Sequence, residues 1–414
     1  MNITSFNIST IEDIESLNET YTAVECKLAH GRDGAGALPK TFWETYSAFA
    51  NTHGGIIILG VRETQQGFKL EGILNVQKII NELHNELNNP KKVSFNLLTD
   101  QDIVERTIDQ KTIILVHVPQ ASRKQCPVFL NGNPLGNTYK RFGEGDRRCD
   151  DETVKRFLAE QVEPDRDGRI LRGFTFENDI NLETFQAYRM MFRDTKPSHP
   201  FLADSDFEFF KKMRGWRIDR ETGQEGMTLA GLLMFGKLTA IQDAVPNYFL
   251  DYQENTDFTH EQRWTYRFIT DGTWSGNLFD FYQKVYRRLI DDLDIPFLLK
   301  GAQRLDESTA AHAALREALI NTLVHADYSG RLSVLVVKKR DTFIFRNPGG
   351  MRVPVAQAQQ GGESDCRNSI LHDLFLKIGL GEKAGSGVPK IYNGWKSCNW
   401  LPPKLYEKDE PEAT

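Results

Sequence analysis

The sequence predicts an α+β protein. Two runs, Ile56–Val61 and Lys111–Val118, are almost continuously apolar, rich in β-branched residues and bounded by glycine or proline, which is typical of buried strands. By contrast, Ile73–Leu87 has apolar residues at helical spacing, and His312–Asp327 is a mostly apolar stretch of helical length. Predicted helices thus occur together with predicted strands in the sequence, which favours a fold with layers of both kinds.

Residues 1–165 are predicted to form a first domain. Thr41–Asn51 has the pattern of a helix and ends just before a Gly-Gly pair, and Asp151–Glu160 has the pattern of a shorter one. Asp150 or Asp151 is a suitable N-cap for the second helix. The stretch Glu163–Gly168 is rich in turn-forming residues and marks the predicted boundary.

Residues 166–300 are predicted to form a central, largely helical connector. Its expected helices are Leu182–Phe192, Phe207–Met213, Thr228–Phe235 and Trp274–Asp292. The third of these begins with a threonine that can cap it and is followed directly by a glycine, which supports its bounds.

Residues 301–414 are predicted to form a third domain, a two-layer α/β structure. The helix His312–Asp327 precedes two strand-like runs, Ser333–Lys338 and Thr342–Phe345, which a short turn separates. A helix followed by such a hairpin gives one layer of each kind.

Composition limits the functional classes. The chain has 414 residues, 40% hydrophobic and 26% charged, with a net charge of −6, so nucleic acid could be bound only through a local basic patch. Its five cysteines form no Cys-x-x-Cys pair, which favours a reducing cytoplasm over a disulfide framework or a zinc site. No apolar run approaches the ~20 residues that a membrane-spanning helix needs, so we expect no membrane association.

A polar stripe on the helix His312–Asp327 is the most informative feature. Glu317, Asn321 and His325 are spaced four apart and stack on one face of an otherwise apolar helix. A buried stripe of this kind needs partners, and a ligand or metal can supply them. The asparagine carbonyl could hold Mg²⁺, while the glutamate orients or deprotonates a water. The alternative is a buried helix whose polar residues bond to neighbouring backbone.

Two glycine-containing turns downstream favour a nucleotide site. The first follows the hairpin and reads Asn347-Pro348-Gly349-Gly350, and the second is the cluster Gly379–Gly387. Glycines at such turns allow the backbone to approach a nucleotide and its phosphates closely.

Residues 305–396 resemble the ATP-binding domain of the GHKL class, which includes gyrase, MutL and the histidine kinases. The resemblance rests on REALINTLVHADY, FRNPGGM, CRNSIL and GLGEKAGSGVPKI, and is closest to a branch found in bacterial proteins described as transcriptional regulators. It implies that Glu317 is the catalytic base and Asn321 the Mg²⁺ ligand. The other implied nucleotide-site residues are His325, Asp327, Asn347, Gly349, Gly350, Arg367, Asn368, Gly385 and Gly387. An Asn-Pro-Gly-Gly turn here replaces the usual aspartate turn that contacts adenine.

Residues 15–160 resemble the AlbA-like domain shared with Schlafen proteins. The matching segments are VECK (Val24–Lys27), FANTHGGIIILGVRE (Phe49–Glu63) and TYKRFGEGDRRCDDETVKRF (Thr138–Phe157). The resemblance implies nucleic-acid binding. Asn51 and the glycines after it could form a tight turn that a substrate backbone approaches. The candidate basic face comprises Lys27, Lys40, Arg62, Lys140, Arg141, Arg147 and Arg148; alternatively these cations are an ordinary solvated surface.

The same resemblance raises a second function, because some Schlafen relatives cut RNA with three carboxylates. Glu25 and Glu63 occupy matching positions, and Glu19 is the candidate for the third. Such a cluster could hold the metal that activates water, although Glu25 could instead be structural and paired with Lys27.

The leading hypothesis is a cytoplasmic nucleic-acid-binding regulator, controlled by ATP and Mg²⁺ at Glu317 and Asn321, with slow hydrolysis if any. The resemblance also implies a homo-oligomer. The alternatives are a metal-dependent RNA or DNA nuclease, perhaps active against phage, and a binding module in which both sites are degenerate.

Overall fold

The computed structural model confirms the α+β class and divides into two compact units, Met1–Pro164 (unit 1) and Asp165–Thr414 (unit 2). It describes residues 8–15, 23–31, 36–64, 67–143, 145–162, 166–255, 264–291, 293, 310–362, 364–381, 385–409 and 412–414. Within these residues no helix is long and apolar enough to cross a bilayer.

Unit 1 has a four-stranded sheet whose two faces are both buried. Its elements are α1 (Ile11–Glu15), β1 (Val24–Lys27), α2 (Thr41–Ala50), β2 (Gly55–Leu59), β3 (Val61–Thr64), β4 (Gly67–Leu70), α3 (Val76–Leu87), β5 (Ile103–Ile108), β6 (Lys111–Val118), β7 (Tyr139–Phe142), β8 (Gly145–Arg148) and α4 (Asp151–Val162). The sheet order is β1-β2-β6-β5, with only β1 and β2 parallel. Alternate residues enter different cores: Ile57 packs with α2 and α3, and Ile58 with Ile14. Two-sided burial explains why β2 and β6 are apolar throughout.

Unit 2 is built on a mixed sheet of order β13-β12-β14-β15. Its elements are β9 (Ile170–Leu171), α5 (Phe176–Asp179), α6 (Leu182–Thr195), α7 (Asp206–Lys212), β10 (Trp216–Ile218), β11 (Glu225–Thr228), α8 (Leu229–Phe235), α9 (Leu238–Ala244), β12 (Leu250–Asn255), β13 (Tyr266–Ile269), α10 (Leu278–Ile290), α11 (Ala310–Val324), β14 (Val334–Lys339), β15 (Phe343–Arg346), α12 (Val355–Gln360), α13 (Ser369–Lys377), α14 (Gly387–Ser397), β16 (Lys408–Asp409) and β17 (Glu412–Ala413). Strands β12 and β14 are parallel, although their sequences are far apart.

One hydrophobic core runs through unit 2, from Leu171 to Leu380. It contains Phe235 and Phe281 from the predicted connector as well as Leu319 and Leu371 from the predicted third domain. The residues assigned to 166–300 and 301–414 are therefore packed together, and their division into separate domains stays a prediction.

Most predicted helices occur with small shifts at their ends. Helix α3 begins at Val76 rather than at Ile73, because the Asn75 side chain accepts a hydrogen bond from the Lys78 amide and caps it there. Helix α11 ends at Val324 rather than at Asp327, and the next residues turn toward Asn368, whose side chain bonds to the Val324 and Ala326 carbonyls. Asp292, the predicted end of α10, lies outside the described residues.

Candidate nucleotide site

A cavity of about 1570 Å³ lies in unit 2 between α11, the β14–β15 hairpin and the start of α14. The predicted site residues that line it are Glu317, Asn321, His325, Asn347, Gly350, Arg367, Gly385 and Gly387. These residues come from four separate parts of the sequence. Asp327, Gly349 and Asn368, predicted with them, are not part of its wall.

Glu317 and Asn321 face the first residue of α14. A Cβ placed on Gly387 would lie 2.5 Å from Glu317 Oε1 and 3.0 Å from Asn321 Nδ2, so a larger residue there would displace these two side chains. Helices α11 and α14 also pack closely at their other ends. A Cβ on Gly394 of α14 would lie 2.6 Å from the Ala310 carbonyl oxygen of α11. Both polar side chains are thus held at a helix N-terminus, which favours negative charge.

Arg367 ties the end of α11 to the first glycine turn. Its Nη1 donates to the His325 carbonyl (2.6 Å) and its Nη2 to the Gly350 carbonyl (3.0 Å). Gly349 has a φ of +88°, and a Cβ there would lie 2.5 Å from Arg367 Nη1. The glycine is therefore needed for its backbone conformation and for the close approach of the guanidinium.

Asp327 and Asn368 have structural contacts beside the cavity. Asp327 Oδ1 accepts hydrogen bonds from Arg166 (3.1 Å) and from Ser329. Burial acts to raise the pKa of Asp327, but Arg367, Arg166 and Ser329 together hold it below the ordinary value. Asn368 is buried and donates to two carbonyls just after α11. Asp327 and Asn368 therefore hold the backbone beside the cavity in place without lining the cavity themselves.

The cavity wall carries a surplus of positive charge. Its cations are Lys338, Lys339, Arg340, Arg346, Arg352, Arg367, Lys404 and Lys408, and its carboxylates are Glu254, Glu317, Asp341 and Asp365. The whole chain, by contrast, is acidic, with a net charge of −6. The cavity therefore suits an anionic ligand.

The donor set beside Gly387 fits a magnesium–phosphate ligand. Mg²⁺ prefers oxygen ligands and is usually held by one or two protein groups together with waters and substrate phosphates. Glu317 and Asn321 supply a carboxylate and a carboxamide oxygen at the cavity wall. Among the described residues, no three His, Cys, Asp or Glu side chains form a metal-binding group.

His325 is kept neutral in the folded protein. Burial lowers its pKa from 6.5 to about 3, and the nearby charges of Arg367, His372 and Arg352 act in the same direction, against Asp365. A neutral imidazole can accept or donate one hydrogen bond to a ligand without adding charge.

We expect His325 to make stability fall as the pH is lowered through 6.5. The unfolded chain binds a proton near pH 6.5 while the folded imidazole does not, so the free energy of unfolding declines from pH 6.5 downward. Urea unfolding between pH 7 and 5, above the range of the carboxylates, should show a shallower decline in His325→Asn. His53→Asn, at an exposed histidine, is the control, and equal slopes for wild type and His325→Asn would contradict the prediction.

In unit 1, Asn51 does not line an open turn. Its Nδ2 donates to the Val128 carbonyl (2.8 Å) and the Tyr139 carbonyl (3.0 Å), and its Oδ1 accepts from the Val128 amide (2.8 Å). A Cβ on Gly54 would lie 2.8 Å from the Val118 carbonyl oxygen. The Asn51 side chain and Gly54 are thus packed against neighbouring backbone, and the approach of a substrate to this turn stays a prediction.

Glu25 is neutralised by two cations. Lys27 Nζ lies 3.1 Å from Glu25 Oε1, and Arg141 Nη2 lies 2.8 Å from Glu25 Oε2. Arg141 also bonds to Asp146 (2.9 Å), so it joins β1 to the β7–β8 hairpin instead of facing solvent. Glu63 is exposed on β3, and Glu19 lies outside the described residues. The nuclease alternative stays a prediction.

The remaining predicted cations divide by exposure. Lys140 is buried and lies over the Phe157 ring, whereas Lys40, Arg62, Arg147 and Arg148 are exposed. The Arg147 guanidinium lies 5.6 Å from the Phe142 ring centroid, at the β7–β8 hairpin. The exposed four can be reached by a phosphate backbone, although Arg62 lies 3.5 Å from Glu71 in an ion pair.

Sequence reasoning missed several residues of the cavity wall. Arg352 and His372 line it, as do the aromatic residues Trp395 and Trp400. Arg352 lies two residues after the Gly-Gly turn, a proximity that could have identified it. The tryptophans follow the last glycine cluster and have no local pattern that points to a ligand.

Family models match three separate parts of the chain. Residues 20–150 match the family described as "Schlafen, AlbA_2", and residues 334–412 match "Putative ATP-dependent DNA helicase recG C-terminal". The chain carries a Schlafen AlbA_2 domain and a RecG-type C-terminal domain. Residues 155–251, between them, match a domain of unknown function, DUF8451. Together the Schlafen AlbA_2 and RecG-type domains indicate a nucleotide-binding protein with a nucleic-acid-related role.

Two solved structures are similar to parts of the chain. The crystal structure of the DIP2311 protein from Corynebacterium diphtheriae is 18% identical, with a TM-score of 0.45, over 95% of this chain and 74% of that one. The solution structure of the N-terminal domain of a RecG-related protein from Nitrosomonas europaea is 26% identical, with a TM-score of 0.26, over 34% of this chain and 94% of that one. No curated protein gave a significant match.

Proposed function

We propose that the chain is a cytoplasmic nucleic-acid-binding regulator controlled by Mg²⁺-ATP in the unit 2 cavity. The observation that carries the proposal is the pair Glu317 and Asn321, held against Gly387 in a wall with surplus positive charge. A triphosphate needs this combination, because its charge must be met by cations and a metal while its oxygens approach the backbone closely.

Each residue has a definite task in this proposal. The Asn321 carbonyl oxygen would hold Mg²⁺, and the cavity cations together with the N-terminus of α14 would hold the phosphates. Bound Mg²⁺ would supply charge neutralisation to the phosphate oxygens. Glu317 would orient a water, and turnover would be slow, because Glu317 is only 3% exposed and is packed against Gly387. Nucleotide-dependent self-association belongs to the proposal by analogy with the ATPases that this unit resembles.

Thermal-shift measurements test the nucleotide site. The protein would be melted with ATP, ADP or GTP, each with and without Mg²⁺. A ligand at ~100 times its dissociation constant adds ~2.7 kcal/mol of stability, which raises the melting temperature measurably. We expect the largest shift with ATP and Mg²⁺ together. The absence of a shift with every nucleotide would overturn the proposal.

For nucleic acid, the exposed cations of unit 1 are the supporting feature. Lys40, Arg147 and Arg148 could neutralise phosphates, as could Arg62 if it left its exposed ion pair with Glu71. Arg141 and Lys27 are held in part-buried ion pairs with Glu25. The small number of such cations implies binding that is weak and strongly dependent on salt.

We expect Arg147→Glu to weaken the binding of single- and double-stranded oligonucleotides. Losing one phosphate contact should reduce the slope of log K against log salt by about 0.9 for duplex DNA. Fluorescence anisotropy at several salt concentrations would measure both quantities. Arg106→Glu, at another exposed arginine of unit 1, is the matched control. If the two variants had equal slopes, the β7–β8 hairpin would not be the binding surface.

A further inference from the structure

The segment that follows α14 forms one side of the nucleotide cavity. We name residues 400–409 and 412–414 the cover segment. Ten of its residues contribute to the cavity wall, beginning with Trp400 and ending with Thr414. The family match over residues 334–412 includes most of this segment, and none of the nucleotide-site residues that the resemblance implies lies in it.

The cover segment is anchored on the first glycine turn. The Thr414 amide donates to the Asn347 carbonyl (3.0 Å), and the Asn347 amide donates to the Thr414 carbonyl (2.9 Å). The Thr414 hydroxyl donates to the Gly349 carbonyl (3.1 Å), and the Met351 amide donates to Glu407 Oε1 (2.7 Å). The backbone polar groups of Asn347 are thus used by the cover segment, so its carboxamide is what it can offer a ligand.

An aromatic surface begins at Trp400 and continues into the body of unit 2. The rings of Trp400 and Trp395 are 4.7 Å apart in an edge-to-face arrangement, and Trp395 meets Phe343 edge-on at 5.9 Å. All three side chains line the cavity and are half-buried. Partly exposed aromatic rings of this kind are suitable stacking surfaces for a nucleobase.

The cover segment lines one side of the cavity but leaves its interior empty. A volume of about 1570 Å³ remains with the segment in place, whereas a pocket for a small ligand usually has ~300–1000 Å³. A nucleotide therefore has room beneath the segment. The polar end at Glu317, Asn321 and Gly387 suits the phosphates, which leaves the aromatic wall for the base.

We infer that the cover segment is part of the nucleotide site, with Trp400 as a base-stacking residue for a purine nucleoside triphosphate. This inference rests on the proposed function. Trp400 and Trp395 bind the base, Asn347 offers it a carboxamide, and the Glu407 and Thr414 contacts hold the segment over it.

The test compares ATP with inorganic tripolyphosphate, which has the phosphates but no base. Calorimetric titrations with Mg²⁺ would use the full chain and the variants Trp400→Leu and Trp400→Phe. We expect Trp400→Leu to weaken ATP binding about tenfold and to leave tripolyphosphate binding unchanged, because only stacking is lost. Trp400→Phe keeps an aromatic face and should retain ATP affinity within about threefold. Trp264→Leu, at a tryptophan outside the cavity wall, is the matched control.

A second variant, at Glu407, tests the cover segment independently in case Trp400→Leu fails to fold. Glu407→Ala removes the acceptor for the Met351 amide and should speed ATP release severalfold, whereas Glu407→Gln keeps an acceptor and should not. Equal ATP binding in wild type, Trp400→Leu and Glu407→Ala would overturn the inference and leave the proposed function standing. If wild type bound ATP no more tightly than tripolyphosphate, the stacking role would be wrong. If wild type bound neither compound, the proposed function itself would fail.

Discussion

Asn321→Ala is expected to abolish Mg²⁺-dependent ATP binding. The carboxamide lines the cavity one helical turn from Glu317, and in the proposal its carbonyl oxygen is the neutral metal ligand. At ~100 times the wild-type dissociation constant, the variant should lose the whole ~2.7 kcal/mol of ligand stabilisation. Calorimetric titration with Mg²⁺-ATP would measure the loss.

The control for Asn321→Ala is Asn393→Ala, at an exposed asparagine of α14 outside the cavity wall. Equal nucleotide affinity in wild type and Asn321→Ala would refute the metal role. The companion variant Glu317→Gln keeps the shape of the side chain against Gly387 while removing its charge. It should bind Mg²⁺-ATP yet lose ~10²–10⁴-fold in turnover if Glu317 acts on the water. Unchanged turnover would mean that Glu317 does not act on the water and only packs against α14.

Asn51→Ala should destabilise unit 1 by about 4 kcal/mol, a large effect for one substitution. The side chain bonds to the Val128 amide and to the Val128 and Tyr139 carbonyls, all in buried surroundings. Alanine would leave the Val128 amide and the Tyr139 carbonyl without this partner, and each such loss costs ~1–3 kcal/mol, whereas the Val128 carbonyl keeps the hydrogen bond from Ser47 Oγ. Urea unfolding of the full chain would measure the change in the unfolding midpoint.

The matched substitution is Asn85→Ala, at an exposed position of α3. It should be neutral or slightly stabilising, because alanine is the better helix former and no buried group loses a partner. A loss below ~1 kcal/mol for Asn51→Ala would mean that water or rearranged backbone replaces the amide, and that Asn51 could be free for a ligand after all.

Features that depend on neighbouring residues could be predicted from the sequence. The buried strands β2 and β6, the helix α2 and the stripe Glu317–Asn321 all follow from local periodicity, because residues that share a face recur at a fixed spacing. The meeting of the helix with the glycine turns also follows in part, since residues of both line the unit 2 cavity, whose binding of a nucleotide stays a proposal.

Features that depend on distant partners could not be predicted. Asn51 bonds to Val128, 77 positions away, and Arg141 pairs with Glu25, 116 positions away, so both resembled surface residues in the sequence. The end of α11 is likewise set by Asn368, which follows it by more than 40 positions. Hydrogen bonds over such separations leave no periodic pattern in the chain.

The most direct test of the nucleotide site is a crystal structure with a non-hydrolysable ATP analogue and Mn²⁺, whose anomalous signal marks the metal. Mn²⁺ takes the same oxygen ligands as Mg²⁺. The proposal predicts a metal peak about 2.1–2.2 Å from the Asn321 side-chain oxygen, with the phosphates beside Gly385 and Gly387. A nucleotide bound elsewhere, or a metal peak remote from Asn321, would contradict it.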